Sequence, residues 1–183
     1  MIILGITGTN GAGKGTVVEY LVKNGFKHFS AREFITKEVL KRNMPVNRDN
    51  TSLVGNDLRR IHNPAYVIEQ LFEEATQQKS NAVIESVRTT GEAEFLKSKG
   101  VLLWAVDADR RIRFERNVLR GTELDKITFE KFCEQEDRQM NPKEKFEMNL
   151  IGVIGMADTV FKNDGTKKEF EEEIAVALKT IQE

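Results

Sequence analysis

An α/β architecture of three layers, a five-stranded parallel sheet with helices on both faces, is the fold class the chain predicts. Three observations carry it. Short apolar runs rich in β-branched residues alternate with helical patterns along the whole length. A glycine-rich loop joins the first such run to the first helical pattern. No repeat, low-complexity run or Pro/Gly/Ser linker divides the 183 residues, a length that suits a single domain 1–183 with a substantial core.

The first strand is Ile2 to Thr7, short and uninterrupted, as expected of a strand buried on both faces. Val17, Val18 and Leu21 supply the apolar stripe of the helix that follows the loop. Further strands are predicted at Lys27 to Phe29, Ala82 to Glu85, Val101 to Val106 and Thr159 to Phe161. Helix starts are written as caps. Ser30 with Glu33, Thr89 with Glu92 and Thr166 with Glu169 have capping-box spacing. Asn63-Pro64 offers an N-cap followed by proline at the first helical position. The last helix carries Phe170, Ile174, Ala177, Leu178 and Ile181 at helical spacing, so it closes the core.

Charge narrows the function classes. Lys and Arg number 28 against 29 Asp and Glu, and a net charge of -1 supplies no basic field for nucleic acid. Anion binding must be local. No apolar stretch approaches transmembrane length, and a glycine-rich loop beginning at Gly8 leaves no room for a cleaved leader ahead of it. The single cysteine, Cys133, forms no internal disulfide. A cytoplasmic protein is expected, with no membrane and no nucleic-acid partner.

The loop itself is Gly8-Thr9-Asn10-Gly11-Ala12-Gly13-Lys14-Gly15-Thr16. Its glycines let the backbone curl and aim N–H groups inward, and the helix behind it adds the positive end of its dipole. A polyphosphate would rest on those donors, with the Lys14 ammonium on the outer phosphates. Gly8, Gly13 and Lys14 satisfy the phosphate-loop pattern, but Gly15 stands where a magnesium-ligating hydroxyl is usual, and Thr16 follows one place later.

This form of the loop resembles that of the P-loop nucleoside monophosphate kinases, adenylate kinase and its relatives. The resemblance implies ATP and Mg²⁺, with the metal held largely through water and Thr16 touching the α-phosphate side. It extends to Glu85-Ser86-Val87-Arg88, where Glu85 corresponds to the metal-shell acid and Arg88 to the clamp on the acceptor phosphate. A guanidinium suits that clamp because its planar fork meets two phosphate oxygens. Arg116-Asn117-Val118-Leu119-Arg120 is similar to the arginine pair of the same family, which places Arg116 on the donor adenine and Arg120 on the transferring phosphate. On charge pattern alone, Arg113, Arg116 and Arg120 share one helix face that reads first as solvated and neutralised by Glu115 and Asp109, and the resemblance reverses that preference.

The resemblance further makes the region about 30–80 an acceptor-binding helical region and about 121–146 a small helical lid over the donor phosphates. Arg138 is then the lid's phosphate contact, against a salt bridge to Glu134 four residues back. On the acceptor side, Ser30 is either ligand or plain N-cap, Arg32 is a phosphate ligand, and Arg59 or Arg60 contributes to the pocket. His28 and His62 have no partners at metal-ligand spacing and read as packing or surface residues. Ala157 to Gly165 resembles a segment of dephospho-coenzyme A kinases and of archaeal relatives of adenylate kinase. Asn163 then lies beside the donor base, unless it serves only the turn before Thr166.

The expected reaction is ATP-dependent phosphoryl transfer to a small-molecule acceptor, a nucleoside or deoxynucleoside monophosphate. Phosphorylation of a sugar hydroxyl, as in dephospho-coenzyme A kinases, ranks second because the chain sets Ser30-Ala31-Arg32 where that family carries an aspartate base. An ATP-dependent switch or assembly ATPase would use the same loop and lid.

Overall fold

The structure is a computed structural model that describes residues 1–121, 127–140, 142 and 144–183. Five parallel strands form one sheet: β1 (Ile3–Gly8), β2 (Lys27–Ser30), β3 (Ala82–Glu85), β4 (Leu102–Asp107) and β5 (Thr159–Lys162), in the order β2-β3-β1-β4-β5. All five lie within a residue or two of the predicted strands. Register places Ile6 beside Glu85, Ser30 beside Glu85, and Gly8 beside Val106. The carboxyl ends of β1, β2, β3 and β4 therefore open on one rim, where parallel sheets place their ligands.

Each face buries its own core. On one, α1 (Lys14–Lys23) and α9 (Lys167–Gln182) pack Val17, Leu21, Ile174 and Leu178 against Leu4, Ile6, Val83 and Trp104. On the other lie α2 (Ala31–Lys41), α3 (Arg48–Ile61), α4 (Tyr66–Gln77), α5 (Thr90–Ser98) and α8 (Leu150–Gly155), closing over Ala82, Ile84 and Leu103. Alternation along β3, with Val83 in one core and its neighbours in the other, is the period-two signature of a strand buried on both sides. A Cβ on Gly5 would meet the Leu96 side chain at 2.8 Å, so this bare position lets α5 approach the central strand. Two more helices, α6 (Arg110–Arg120) and α7 (Phe129–Met140), stand above the rim.

The caps form largely as read. Thr89 with Glu92 and Thr166 with Glu169 close both halves of the box, whereas Ser30 accepts only from the Glu33 amide. Asn63-Pro64 is a correction. α4 begins at Tyr66, and the Asn63 side chain instead accepts from the Ala65 amide, making a local turn that precedes the helix. Of the lid region 121–146, residues 122–126, 141 and 143 lie outside the described residues, and α7 is its described helix.

Candidate active site

Gly8, Gly11 and Gly13 all have positive φ, at 136°, 79° and 111°, and the loop curls as their freedom allows. The curl is closely fitted from outside. A Cβ on Gly11 would stand 2.5 Å from the Arg113 carbonyl oxygen, and one on Gly13 would stand 2.4 Å from Asn163 Nδ2. Among the described hydrogen bonds, the amides of Asn10, Gly11, Gly13, Lys14 and Gly15 find no acceptor in the chain. Five unpartnered donors in the loop and the first turn of α1 fit a polyphosphate. A Cβ on Gly15 would meet nothing within 4 Å, so that side of the loop is open.

Lys14 is buried, and its Nζ donates to the carbonyls of Gly8 at 3.0 Å and Thr9 at 2.8 Å. Burial first, and then the positive field of Arg88, push its pKa down to about 7. The ammonium is thus held where an added anion would restore its charge.

On the donor side Asn163, Arg116, Arg113, Thr9 and Arg120 are each held by a hydrogen bond within the chain. Asn163 is buried and donates from Nδ2 to the Ala12 carbonyl at 2.7 Å, fixing the loop to the turn after β5. Arg116 donates to the carbonyls of Asn163 at 2.8 Å and Gly165 at 3.3 Å, so it braces the same turn. Arg113, predicted to share an exposed face with Arg116 and Arg120, is buried. It donates to the carbonyls of Ala108 and Asn10 and pairs with Glu136 of α7. The Thr9 hydroxyl donates to Asp107 at the end of β4, 2.6 Å away. Arg120 reaches Asn117 Oδ1 at 2.9 Å and lines the cleft described below.

Glu85 ends β3 as predicted, and β2 lies beside it. His28 Nε2 stands 3.1 Å from Glu85 Oε2, a partnership that neighbouring strands create and linear spacing hides. Burial opposes ionisation of Glu85, but the His28 contact and the Lys14 charge outweigh it and hold the carboxyl below its usual range. Ser86 follows at φ 75°, a left-handed conformation a serine adopts only at a cost, and it is buried in the cleft wall. Its turn swings the chain so that Arg88 faces the cleft.

That cleft, of about 480 Å³, runs from Asn10 of the loop between α2, α3 and α7. Its loop end carries Arg32, Arg59, Arg88 and Arg120. The Arg88 guanidinium makes no described hydrogen bond. Burial pushes its pKa down, opposed by Glu85 and Glu92. Arg32 is exposed and lines the cleft, while Ser30 beneath it caps α2. Of the two adjacent arginines near the end of α3, Arg59 is the one inside and Arg60 pairs with Asp57 on the surface. Arg59 is only 1% exposed, donates from Nε to Glu92 at 2.7 Å, and leaves Nη1 buried without an acceptor. Glu92 in turn accepts from the amides of Arg88 and Thr89, so one buried carboxylate orients both the α3 arginine and the Arg88 turn.

Arg138 departs from its expected place. It pairs with Glu134 on the outer surface of α7 and does not line the cleft. Helical geometry explains this: Phe132, Gln135, Glu136 and Gln139 occupy the inner face, and Arg138 projects outward between them. Sequence reading gives Glu92 only a capping role and His28 only packing or surface, and it does not single out Asp107 or this inner face. The inner face left a linear signal in the 3.6-residue spacing through Phe132, and Glu92 left one in its cap.

Comparison with known proteins places this geometry. A family model described as an AAA domain matches residues 4–144. A UPF0200 protein of Thermococcus gammatolerans is 28% identical over 99% of the chain and 95% of that protein. The UPF0200 protein MJ1399 of Methanocaldococcus jannaschii is 30% identical over 94% of the chain and 85% of that protein. Among solved structures, shikimate kinase from Bacteroides thetaiotaomicron superposes with a TM-score of 0.61 at 14% identity, covering 100% of the chain and 99% of that structure. The fold is that of the P-loop kinases.

Proposed function

Because the chain belongs to the AAA domain family and to the UPF0200 proteins, and folds as a P-loop kinase, we propose that it transfers the γ-phosphoryl group of ATP to a nucleoside or deoxynucleoside monophosphate. One observation carries the reading. The phosphate loop opens into a cleft whose near end holds Arg32, Arg59, Arg88 and Arg120, while the one lining carboxylate among the described residues, Glu136, is already engaged by Arg113 and Arg110. That lining attracts an anionic acceptor, and among the described residues it offers no idle carboxylate.

The chemistry needs none. An acceptor phosphate oxygen attacks the γ-phosphorus, the bond to the β–γ bridging oxygen breaks, and ADP leaves with that electron pair. The dianionic acceptor has no proton to lose, so positioning and charge stabilisation do the catalysis. Loop amides and Lys14 hold the donor, Arg88 with Arg32 and Arg59 holds the acceptor, and Arg120 faces the group in transit. Among the described residues no set of three His, Cys, Asp or Glu side chains is placed to hold a metal. Glu85, kept ionised, fits a Mg²⁺ bound mainly by phosphate oxygens and water, and that ion would neutralise charge on the transferring group.

Sugar-hydroxyl transfer is disfavoured by the same lining, since it benefits from a carboxylate base. Its support in the Ala157 to Gly165 segment also weakens, because Asp158 accepts from the Leu103 amide and pairs with Lys97, a structural task. The test is ADP release with ATP and Mg²⁺ against a panel of ribo- and deoxynucleoside monophosphates and dephospho-coenzyme A. The reading expects release in proportion to a monophosphate. Release that ignores every acceptor identifies an ATPase switch, and release with dephospho-coenzyme A alone identifies the hydroxyl kinase.

A further inference from the structure

We infer that the inner face of α7 reads the acceptor's base, with Gln139 as the specificity-determining residue and Gln135 beside it. This deepens the monophosphate reading and rests on it. The cleft is chemically two-ended. At the phosphate loop its lining is cationic, with Arg32, Arg59 and Arg88. Along α7 the lining is uncharged or already paired: Phe132, Gln135 and Gln139 face inward, Glu136 is neutralised by Arg113 and Arg110, and Arg48 of α3 is bonded to Gln135. A ligand matched to both ends carries a phosphate at one and a flat, uncharged, hydrogen-bonding ring at the other.

The carboxamides are suited to such an edge. A glutamine presents one acceptor and two donors in a plane, the arrangement that pairs with a base edge offering both functions. Gln135 Oε1 already accepts from Arg48 Nη1 at 2.6 Å, which leaves its NH₂ as the group directed at a ligand. Gln139, half-buried one turn further along, has no described hydrogen bond, so both of its functions are available. Phe132 is 2% exposed and gives the pocket an apolar floor beside them. The same helix is anchored at Glu136 to Arg113, which bonds the Asn10 carbonyl, so the reading face is fixed relative to the phosphate loop.

The experiment measures kcat and KM for AMP, CMP, GMP and UMP in the full chain, with Gln139→Leu and the isosteric Gln139→Glu, alongside calorimetric affinity for each monophosphate and for ATP. A neutral hydrogen bond lost at a desolvated edge predicts an increase of about tenfold in KM for the preferred base. Gln139→Glu should reorder the bases, because it keeps an acceptor and loses the donor. ATP affinity and the thermal midpoint should stay as in the parent. A base ranking that is the same in all three proteins overturns the inference and leaves the kinase reading intact. A parent protein that binds ATP but neither binds nor phosphorylates any monophosphate overturns both.

Discussion

The two halves of the site are built differently. On the donor side, Asn163, Arg116, Arg113 and Thr9 are all bonded to the loop or its immediate supports, and three glycines hold positive φ against close neighbours. On the acceptor side, Arg88 has no described hydrogen bond, Arg32 is exposed, and Arg59 keeps a buried Nη1 without an acceptor. The first half is fixed before any ligand arrives. Its unspent donors are backbone amides with the buried Asn117 Nδ2, whereas those of the second half are guanidinium groups. A preorganised cradle suits a constant donor, whereas guanidinium groups in waiting suit an acceptor that supplies their missing partners.

The comparison breaks most visibly at Lys14. Lys14→Ala removes the charge that meets the outer phosphates, and turnover should fall by roughly 10²–10³ while the fold persists. Acceptor-dependent ADP release and circular dichroism check both halves of that statement. Unchanged turnover would move the chemistry to another site. Arg88→Ala tests the other half: KM for the acceptor should rise by about 10- to 100-fold with calorimetric ATP affinity unchanged. Equal loss on both substrates would erase the division between the halves.

Two glycines sharpen the contrast within the loop. Gly13→Ala forces a side chain onto φ 111° and against Asn163 Nδ2, and should destabilise by about 2–3 kcal/mol in urea unfolding. Gly15→Ala meets open space in α1, and should be neutral or stabilising by up to about 1 kcal/mol. The smallest effect is a proton. With its pKa pushed down to about 7, Lys14 is largely uncharged in the free protein above that pH, and bound phosphates restore the charge. The complex then holds more protons than the free protein, so ATP affinity should fall as pH rises past 7, by at most about tenfold per pH unit. Calorimetry at pH 8 in buffers of different ionisation enthalpy should show uptake that vanishes at pH 6.

Much of the frame was legible because it is local. A strand buried on both faces, a cap three residues ahead of its glutamate, and a glycine loop between strand and helix each occupy a few consecutive residues. The parts that were not legible depend on sheet register and helix facing. His28 meets Glu85 because β2 lies beside β3, 57 residues away in sequence. Arg59 and Arg60 are adjacent in sequence, yet α3 buries one against Glu92 and leaves the other to Asp57. The family resemblance made Arg138 the lid's ligand, but it took the alternative of a salt bridge to Glu134, and the inner face of α7 belongs to uncharged side chains and a neutralised glutamate. Residue type identified the anion chemistry. Packing decided which arginine serves it.

In the proposed reaction the arginine-lined end of the cleft delivers an acceptor phosphate to the donor held by the loop. Phosphorus NMR of a mixture of the protein, ATP, Mg²⁺ and a nucleoside monophosphate follows that transfer atom by atom. A nucleoside diphosphate β-phosphorus signal from the acceptor should grow in step with ADP. Inorganic phosphate as the only new signal, or no ATP consumption at all, would contradict it.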